Sequence, residues 1–235
     1  MITPSSAPSA DTTLAVIDHA VIGHDERDHN QTEYGRRRAQ LRTEMRSRRR
    51  RVTDREQAAA AQALGSVVLR HGLLRRGMRV AVYQAHGREA DLSRVIAIAR
   101  RRECVLYLPA IIRHRAGLMD FVRFDADTPL LPNAFGIHEP DLAAGKRIPL
   151  RELDLILVPL LAVDTDGWRL GSGGGFYDRR LHRLRAERRW RRPRLVGVAY
   201  EFQRIAHLDH ESWDVPLDAV ITESNLYPIP RRSSR

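Results

Sequence analysis

The stretch LDLILVP (153–159) contains the apolar run that decides the fold. From Leu155 to Val158 it has no polar residue, and Pro159 ends it, which is the pattern of a strand buried on both faces. Such strands belong to parallel sheets that helices cover on both sides. Further predicted strands are RVAVY (79–83), CVLYLP (104–109), RLVGVAY (194–200) and DAVIT (218–222), with a predicted helix, SRVIAIARR (93–101), between the first two.

This alternation of strands and helices, with short connections, predicts an α/β fold class. We expect a single three-layer α/β/α domain with a mostly parallel sheet. The domain is assigned to residues 33–228, followed by a C-terminal tail at 229–235. Residues 1–32 lack sustained hydrophobic periodicity and are predicted to be a disordered N-terminal extension that resembles neither a secretory signal nor a transit peptide.

An arginine-dense helix is predicted to open the domain, with the sequence YGRRRAQLRTEMRSRRRR (34–51). Thr53 and Glu56 then have the spacing of a capping box, which predicts the start of a second helix. A third helix is predicted after a glycine-rich segment, from about residue 176 to residue 190. These helices supply the outer layers of the predicted fold.

Composition and charge limit the classes of function. The net charge of +11 would ordinarily suggest a nucleic-acid partner. However, Lys146 is the only lysine among the 40 basic residues, and arginines occur along the whole chain, which indicates compositional bias. We therefore expect no nucleic-acid partner. The single Cys104 excludes an internal disulfide and favours the cytoplasm, and no apolar run approaches the roughly 20 residues that span a membrane.

The segment GSGGGFYD (171–178) carries the clearest chemical signal. Glycines let backbone N–H groups approach an anion closely, and a helix N-terminus favours phosphate. Phe176 and Tyr177 stand where a P-loop has lysine and a hydroxyl residue, and Phe176 also breaks the dinucleotide-binding pattern. From the residues alone, two interpretations of this segment stay open. It is either a phosphate-binding loop, or a tight turn into a helix in which Asp178 only complements the helix dipole.

Several motifs in one order carry a resemblance to a known family. They are RAQLR (38–42), VAVYQAHGRE (80–89), FGIHEP (135–140), DLILVPLLAVD (154–164), GWRLGSGGGFYDR (167–179), VGVAY (196–200) and WDVPLD (213–218). Together they resemble the 5-formyltetrahydrofolate cyclo-ligase family, also called methenyltetrahydrofolate synthetases, over about residues 35–225. The resemblance implies the ATP- and Mg²⁺-dependent conversion of 5-formyltetrahydrofolate to 5,10-methenyltetrahydrofolate, with release of ADP and phosphate.

The resemblance also implies roles for individual residues. Catalytic roles fall to Arg169 and Tyr177, and Mg²⁺ positions to Asp178 and Asp214. The implied ATP contacts are Arg38, Arg42, Arg169, Gly171, Ser172, Gly173, Gly174, Gly175, Phe176 and Tyr177. The implied folate contacts are Gln84, Glu89, Ser172, Gly173, Gly174, Gly175 and Phe176.

Two other functions stay open at this point. The segment RRLHRLRAERRWRRPR (179–194) is typical of an RNA-binding stretch, although an amphipathic helix with outward arginines explains it better. An inactive relative that only binds folate or nucleotide is the second alternative. His207 and His210, next to Glu211, could suggest a metal site. No third ligand lies at a recognisable spacing, which disfavours that interpretation. We expect a monomer that acts on small molecules, with no membrane partner.

Overall fold

A computed structural model describes the backbone of residues 22–112, 118–143, 145–186 and 193–230, and their side chains except in 22–32 and 183–186. The helices are α1 (Ile22–Arg50), α2 (Asp54–Arg70), α3 (Ser93–Arg101) and α4 (Phe176–Ala186). The strands are β1 (Arg79–Ala81), β2 (Val105–Ile111), β3 (Met119–Arg123), β4 (Leu130–Pro132), β5 (His138–Pro140), β6 (Arg147–Ile148), β7 (Leu155–Pro159), β8 (Ala162–Val163), β9 (Arg169–Leu170), β10 (Arg194–Val198), β11 (Ala219–Ile221) and β12 (Leu226–Pro228).

Eight of these strands form one sheet in the order β12-β11-β10-β7-β1-β2-β3-β6. Its five central strands, from β11 to β2, are parallel, whereas β3, β6 and β12 add antiparallel edges. The apolar strand β7 lies between β10 and β1, and its residues Leu155–Val158 are at most 1% exposed. The predicted α/β class and mostly parallel sheet are therefore confirmed.

Two apolar cores lie on opposite faces of the sheet. Alternate residues of β7 point to different cores: Leu155 and Leu157 pack with α2 and α3, whereas Ile156 and Val158 pack with Leu181 of α4. This alternation follows from the two-residue period of a strand. The predicted three-layer arrangement is confirmed, with helices covering both faces of the sheet.

The sequence patterns did not predict the strands at the edges of the sheet. DAVIT was predicted as the last strand, but β12 follows it, and β3 and β6 extend the opposite edge. These edges carry Asp120, Arg123 and Arg147, so they lack the apolar runs that identify buried strands. Two small hairpins, β4–β5 and β8–β9, were also missed.

Helix α1 begins earlier than predicted, at Ile22 rather than Tyr34, and so enters the segment assigned to the extension. This part of the helix has no apolar stripe for a sequence pattern to detect, and Glu33 and Arg37 form an i,i+4 ion pair there. The chain divides into two units within α1, Met1–Arg37 and Arg38–Arg235, and the site described below lies in the second. The predicted end of the third helix, residues 187–190, lies outside the described residues.

Among the described residues, no helix combines the length and apolar character needed to span a membrane.

Candidate active site

The implied site residues gather at the carboxyl ends of three adjacent strands, β10, β7 and β1. Gln84 and Glu89 follow β1, the glycine-rich segment follows β7 through the β8–β9 hairpin, and Asp214 follows β10. Ligands of open α/β sheets bind at this edge, where loops from neighbouring strands meet. The topology therefore brings together residues that are more than 80 positions apart in sequence.

The β8–β9 hairpin positions Arg169. Its turn is fixed by the buried Asp164 carboxylate, which accepts hydrogen bonds from the backbone N–H groups of Trp168 (2.9 Å) and Leu208 (3.1 Å). The Arg169 guanidinium, with a side chain only 3% exposed, donates to the Val215 carbonyl at 2.5 Å and to the Asp178 carboxylate. Arg169 thus connects Asp178 to the segment that carries Asp214.

The glycine loop, residues 171–175, leads directly into α4, as predicted. Gly173 and Gly175 have φ values of 102° and 63°, in the region that L residues rarely adopt. Residues 172–174 are exposed. The loop therefore presents backbone to solvent at the N-terminal end of a helix, where an anion is favoured.

One face of α1 carries four arginines that contact the site, and we call it the arginine face: Arg38, Arg42, Arg46 and Arg49. Arg38 donates to the Asp214 carboxylate at 3.1 Å. Arg42 and Arg46 donate to the carbonyl oxygens of Gly171 (3.2 Å) and Ser172 (2.7 Å). Arg49 donates to the Glu89 carboxylate at 3.3 Å.

The arginine face therefore runs from one implied metal-binding acid, past the glycine loop, to the implied folate-binding acid. Of these four arginines, the family resemblance assigned a role only to Arg38 and Arg42. Arg46 and Arg49 continue the same helical spacing, but in a segment with so many arginines the spacing could not select them.

The other end of the site is formed by the turn that follows β1. Glu89 is largely buried there, and its carbonyl accepts hydrogen bonds from the Gln57 amide (2.7 Å) and the Tyr200 hydroxyl (3.4 Å). Burial raises the pKa of the Glu89 carboxyl, and the positive charge of Arg49 opposes that effect. Gln84 lies half-buried three residues after β1.

Tyr177 lies in the first turn of α4, and its hydroxyl is buried without a hydrogen-bond partner among the described residues. Burial raises the pKa of this phenol strongly, the charge of Glu89 raises it further, and the charge of Arg169 lowers it. The hydroxyl is therefore neutral and lies within electrostatic range of both groups. An unpaired buried hydroxyl is costly, so a ligand oxygen there would be stabilised.

A further aromatic side chain reaches the site from the β4–β5 hairpin. Phe135, at its tip, is 59% exposed and packs edge-to-face on Phe176 with ring centroids 5.9 Å apart. The buried Glu139 anchors the hairpin by accepting from Asn133 Nδ2 (2.9 Å) and the Ile111 N–H (3.0 Å). The FGIHEP motif contains Phe135, but nothing in the sequence indicated that Phe135 contacts Phe176, the residue that follows the glycine loop.

Two carboxylates, Asp178 and Asp214, are candidates to hold a cation. Within the described residues, no group of three or more His, Cys, Asp or Glu side chains could form a metal cage. Magnesium commonly uses one or two carboxylates and completes its shell with phosphate oxygens and water, so this pair suits a cation that arrives with a nucleotide. Close to Asp214 in sequence, His210 stacks on Trp168 with ring centroids 3.7 Å apart. The imidazole of His210 therefore has a packing role.

A shallow groove between α2 and α3 is separate from this site. It is lined by Gln62, Ser66, Leu69, Arg94 and Ile98, together with neighbouring residues of both helices. The groove shares no residue with the glycine loop or the arginine face. The groove is therefore not part of the candidate site.

Comparison with known proteins places the chain in a family. The model of the 5-formyltetrahydrofolate cyclo-ligase family matches residues 35–223. The 5-formyltetrahydrofolate cyclo-ligase of Haemophilus influenzae is 36% identical over 182 residues, covering 77% of this chain and 94% of the relative. The Escherichia coli K12 enzyme of the same name is 34% identical over 185 residues, covering 78% and 98%.

Solved structures agree with these relatives. The NMR structure of Aquifex aeolicus 5,10-methenyltetrahydrofolate synthetase superposes with a TM-score of 0.68 at 29% identity, covering 84% of this chain and 94% of that one. The Mycoplasma pneumoniae 5,10-methenyltetrahydrofolate synthetase shares the fold, with a TM-score of 0.62 at 21% identity and coverage of 79% and 98%. By sequence and by structure, the chain belongs to the 5-formyltetrahydrofolate cyclo-ligase family.

Proposed function

We propose that this protein converts 5-formyltetrahydrofolate to 5,10-methenyltetrahydrofolate with ATP and Mg²⁺, as its family membership implies. The observation that carries the proposal is the arginine face, which reaches Asp214, the glycine loop and Glu89 in turn. A nucleotide and a folate bound along that face would lie next to each other. That is the arrangement that transfer of a phosphoryl group between them requires.

The reaction has two steps. The formyl oxygen attacks the γ-phosphorus of ATP, the bond to the β–γ bridging oxygen breaks, and ADP leaves. N10 of the folate then attacks the formyl carbon, the activated oxygen departs as phosphate, and N10 loses its proton. Phosphorylation is needed because an amide oxygen is a poor leaving group. In the first step, the protein mainly positions the reactants and neutralises charge.

Cations and backbone N–H groups are proposed to hold the triphosphate. Arg38, Arg42 and Arg169 present guanidinium forks, which suit phosphate oxygens. The proposed ATP-binding set is completed by Gly171, Ser172, Gly173, Gly174, Gly175, Phe176 and Tyr177. Arg42 already contacts a loop carbonyl, a neutral acceptor that a charged phosphate oxygen would replace favourably.

Asp178 and Asp214 are proposed to hold magnesium together with the triphosphate. When bound, Mg²⁺ would neutralise charge on the phosphate oxygens and help to orient them. Both acids now accept hydrogen bonds from arginines, Asp178 from Arg169 and Asp214 from Arg38. Each acid is thus already oriented by a cation that belongs to the proposed phosphate site.

The folate is proposed to lie towards β1, against Gln84, Glu89, the loop residues 172–175 and Phe176. An ionised Glu89 can accept hydrogen bonds from pterin N–H groups. The Phe176 ring offers an apolar face for stacking. Tyr177, whose neutral hydroxyl lacks a partner among the described residues, can donate a hydrogen bond to a substrate oxygen, and the nearby Arg169 supplies positive charge to the phosphoryl group.

We also propose that the protein works as a cytoplasmic monomer on these small molecules. The RNA-binding alternative rests on residues 179–194, of which 187–192 lie outside the described structure. An inactive relative would bind ATP and folate without making product. Both alternatives predict no turnover, so one assay separates them from the enzyme.

The test is spectrophotometric. Purified protein with ATP, Mg²⁺ and 5-formyltetrahydrofolate should produce the ultraviolet absorbance of the methenyl product, with one ADP formed per product. Omitting ATP or adding EDTA should abolish the signal. Binding of both ligands without product would establish the inactive relative, and salt-sensitive RNA binding without product would favour the RNA reading.

A further inference from the structure

Arg49 lies in the last turn of α1, and its guanidinium is shielded from solvent. Its Nη1 donates to Glu89 Oε1 at 3.3 Å, and the two side chains are only 12% and 18% exposed. Exposed ion pairs contribute little, but breaking a shielded pair leaves one charge without compensation. The neighbouring Arg48 lies 5.0 Å above the Phe202 ring, so this helical turn is held in place beside the site.

The backbone of Glu89 is fixed independently of Arg49. Gly87 and Arg88 both have positive φ, which makes a tight turn, and the His86 N–H donates to Glu89 Oε2 at 3.1 Å. Gln57 and the Tyr200 hydroxyl hold the Glu89 carbonyl. Within the described residues, Arg49 is the side chain that holds the second carboxylate oxygen.

The surroundings of Glu89 oppose its ionised form. Burial raises the pKa of its carboxyl, and Arg49 is the largest influence in the other direction, followed by the His86 N–H and imidazole. Glu89 in turn raises the pKa values of Tyr83 and Tyr177, because its negative charge opposes ionisation of both phenols. Within the described residues, the polar or charged groups around Glu89 are Arg49 from α1, Gln57 from α2, Tyr83 just after β1, His86 from the turn, Tyr177 from α4 and Tyr200 after β10.

We infer that Arg49 is a positioning residue for the folate, which keeps the Glu89 carboxylate ionised and fixed in rotation so that it can accept hydrogen bonds from the pterin. The inference rests on the proposed function and adds a residue that the family motifs did not assign. Arg49 does not touch the reacting atoms in this role. Its effect on the substrate is transmitted through Glu89.

Arg49→Met tests this role, because methionine fills similar space without a charge. The KM for 5-formyltetrahydrofolate should rise about 10-fold or more, since a buried carboxylate would lose its cation, whereas the KM for ATP should change less than about 2-fold. Folate binding fails as the pH falls through the pKa of Glu89. Without Arg49 that failure should move to higher pH, because the charge that lowers the pKa of Glu89 is gone.

Arg50→Met is the matched control. Arg50 is exposed in the same helical turn, so this variant makes the same substitution and removes the same charge from the helix. Its folate KM and pH profile should match those of the wild type. Arg49→Lys should restore part of the folate affinity, because it keeps the cation but loses the planar fork.

A double-mutant cycle separates positioning from general destabilisation. If Arg49 acts through Glu89, adding Arg49→Met to Glu89→Gln should raise the folate KM much less than the same change does in the wild type. Additive effects, or equal losses for ATP and folate, would overturn the inference. If Arg49→Met does not fold, Arg49→Gln replaces it, and a folate KM and pH profile identical to those of the wild type would likewise overturn the inference. A wild-type protein without turnover would instead refute the proposed function.

Discussion

Two parts of the arginine face bind in different ways: Arg42 and Arg46 beside the glycine loop, here called the loop end, and Arg49 at the Glu89 end. At the glycine loop, Arg42 and Arg46 donate to neutral backbone carbonyls beside exposed residues. At the other end, Arg49 donates to a shielded carboxylate, on a residue whose carbonyl is held by the Tyr200 hydroxyl. The loop end leaves room for a highly charged, solvated ligand to compete for the arginines. The Glu89 end is organised before any ligand arrives, which suits recognition of an uncharged ring by hydrogen bonds.

The largest effect is expected at the loop end, from Asp178→Asn. The amide keeps the size of the side chain but removes the charge that is proposed to hold Mg²⁺, and it leaves the buried Arg169 without its anionic partner. We expect kcat to fall by about 100-fold or more. Folate binding, measured by direct titration, should change little because Glu89 is untouched.

Asp127→Asn is a suitable control for Asp178→Asn, since it makes the same substitution in an exposed loop. It should leave kcat unchanged. An undiminished rate for Asp178→Asn would refute the metal-binding role and would remove the proposed difference between the two ends.

A smaller effect is expected from Gly173→Ala. Gly173 has a φ of 102°, and an added Cβ would come no closer than 3.8 Å to Arg42, so the cost is backbone strain rather than a clash. Strain of about 1–3 kcal/mol should distort the loop and raise the KM for ATP about 10-fold, while the folate KM changes less. Steady-state kinetics with each substrate varied in turn measure this difference.

Gly171→Ala provides the matched comparison. Gly171 lies in the same loop without a positive φ, and no atom is within 4 Å of an added Cβ. This variant should raise the KM for ATP less than Gly173→Ala does, because it adds the same methyl group to the proposed ATP-binding loop without strain in the backbone. Equal effects of the two alanines would show that the loop tolerates or rejects side chains for reasons other than its backbone conformation.

The smallest effect is expected from Thr53→Ala, at the start of the helix that supports the Glu89 end through Gln57. Thr53 caps α2, which carries Gln57: its Oγ1 accepts from the Glu56 N–H at 3.2 Å, and its own N–H donates to Glu56 Oε2 at 2.8 Å. Thr53→Ala should lower the free energy of unfolding by about 1 kcal/mol, measured as a lower urea midpoint at unchanged slope. Thr53→Ser should keep most of the stability, because it retains the hydroxyl.

The pH dependence of this cap is also defined. Hydrogen bonds from Thr53 lower the pKa of Glu56, so their contribution is present above the unfolded-state pKa and is lost as the pH falls through the folded-state value. The difference between Thr53→Ala and wild type should therefore shrink in acid. Both variants should keep wild-type KM values at neutral pH, and a large rise in the folate KM alone would mean that α2 controls Glu89 more directly than proposed.

The central strands could be predicted because a strand that is buried on both faces has an uninterrupted run of apolar residues. Leu155–Val158 are apolar in succession since both faces of β7 are covered. The edges could not be predicted in this way, because β3 and β6 mix apolar with charged residues. The Thr53–Glu56 capping box was predicted correctly because it depends only on local spacing.

For the site, motifs identified the glycine loop and its acids, but not everything that surrounds them. Arg49 was missed because its partner, Glu89, is 40 residues away and arginines are frequent throughout α1. Phe135 was missed because a hairpin, not a sequence neighbour, brings it to Phe176. Contacts of this kind depend on tertiary structure, which local patterns do not encode.

The contact between Arg38 and Asp214 joins positions 176 residues apart. During synthesis Arg38 leaves the ribosome long before Asp214. The nascent chain therefore already contains the glycine loop and the Glu89 turn while Asp214 is still missing from the site. Magnesium and nucleotide could then be held in the proposed manner only after Asp214 has emerged. Catalytic competence would thus be acquired late, in one of the last folding events of the chain.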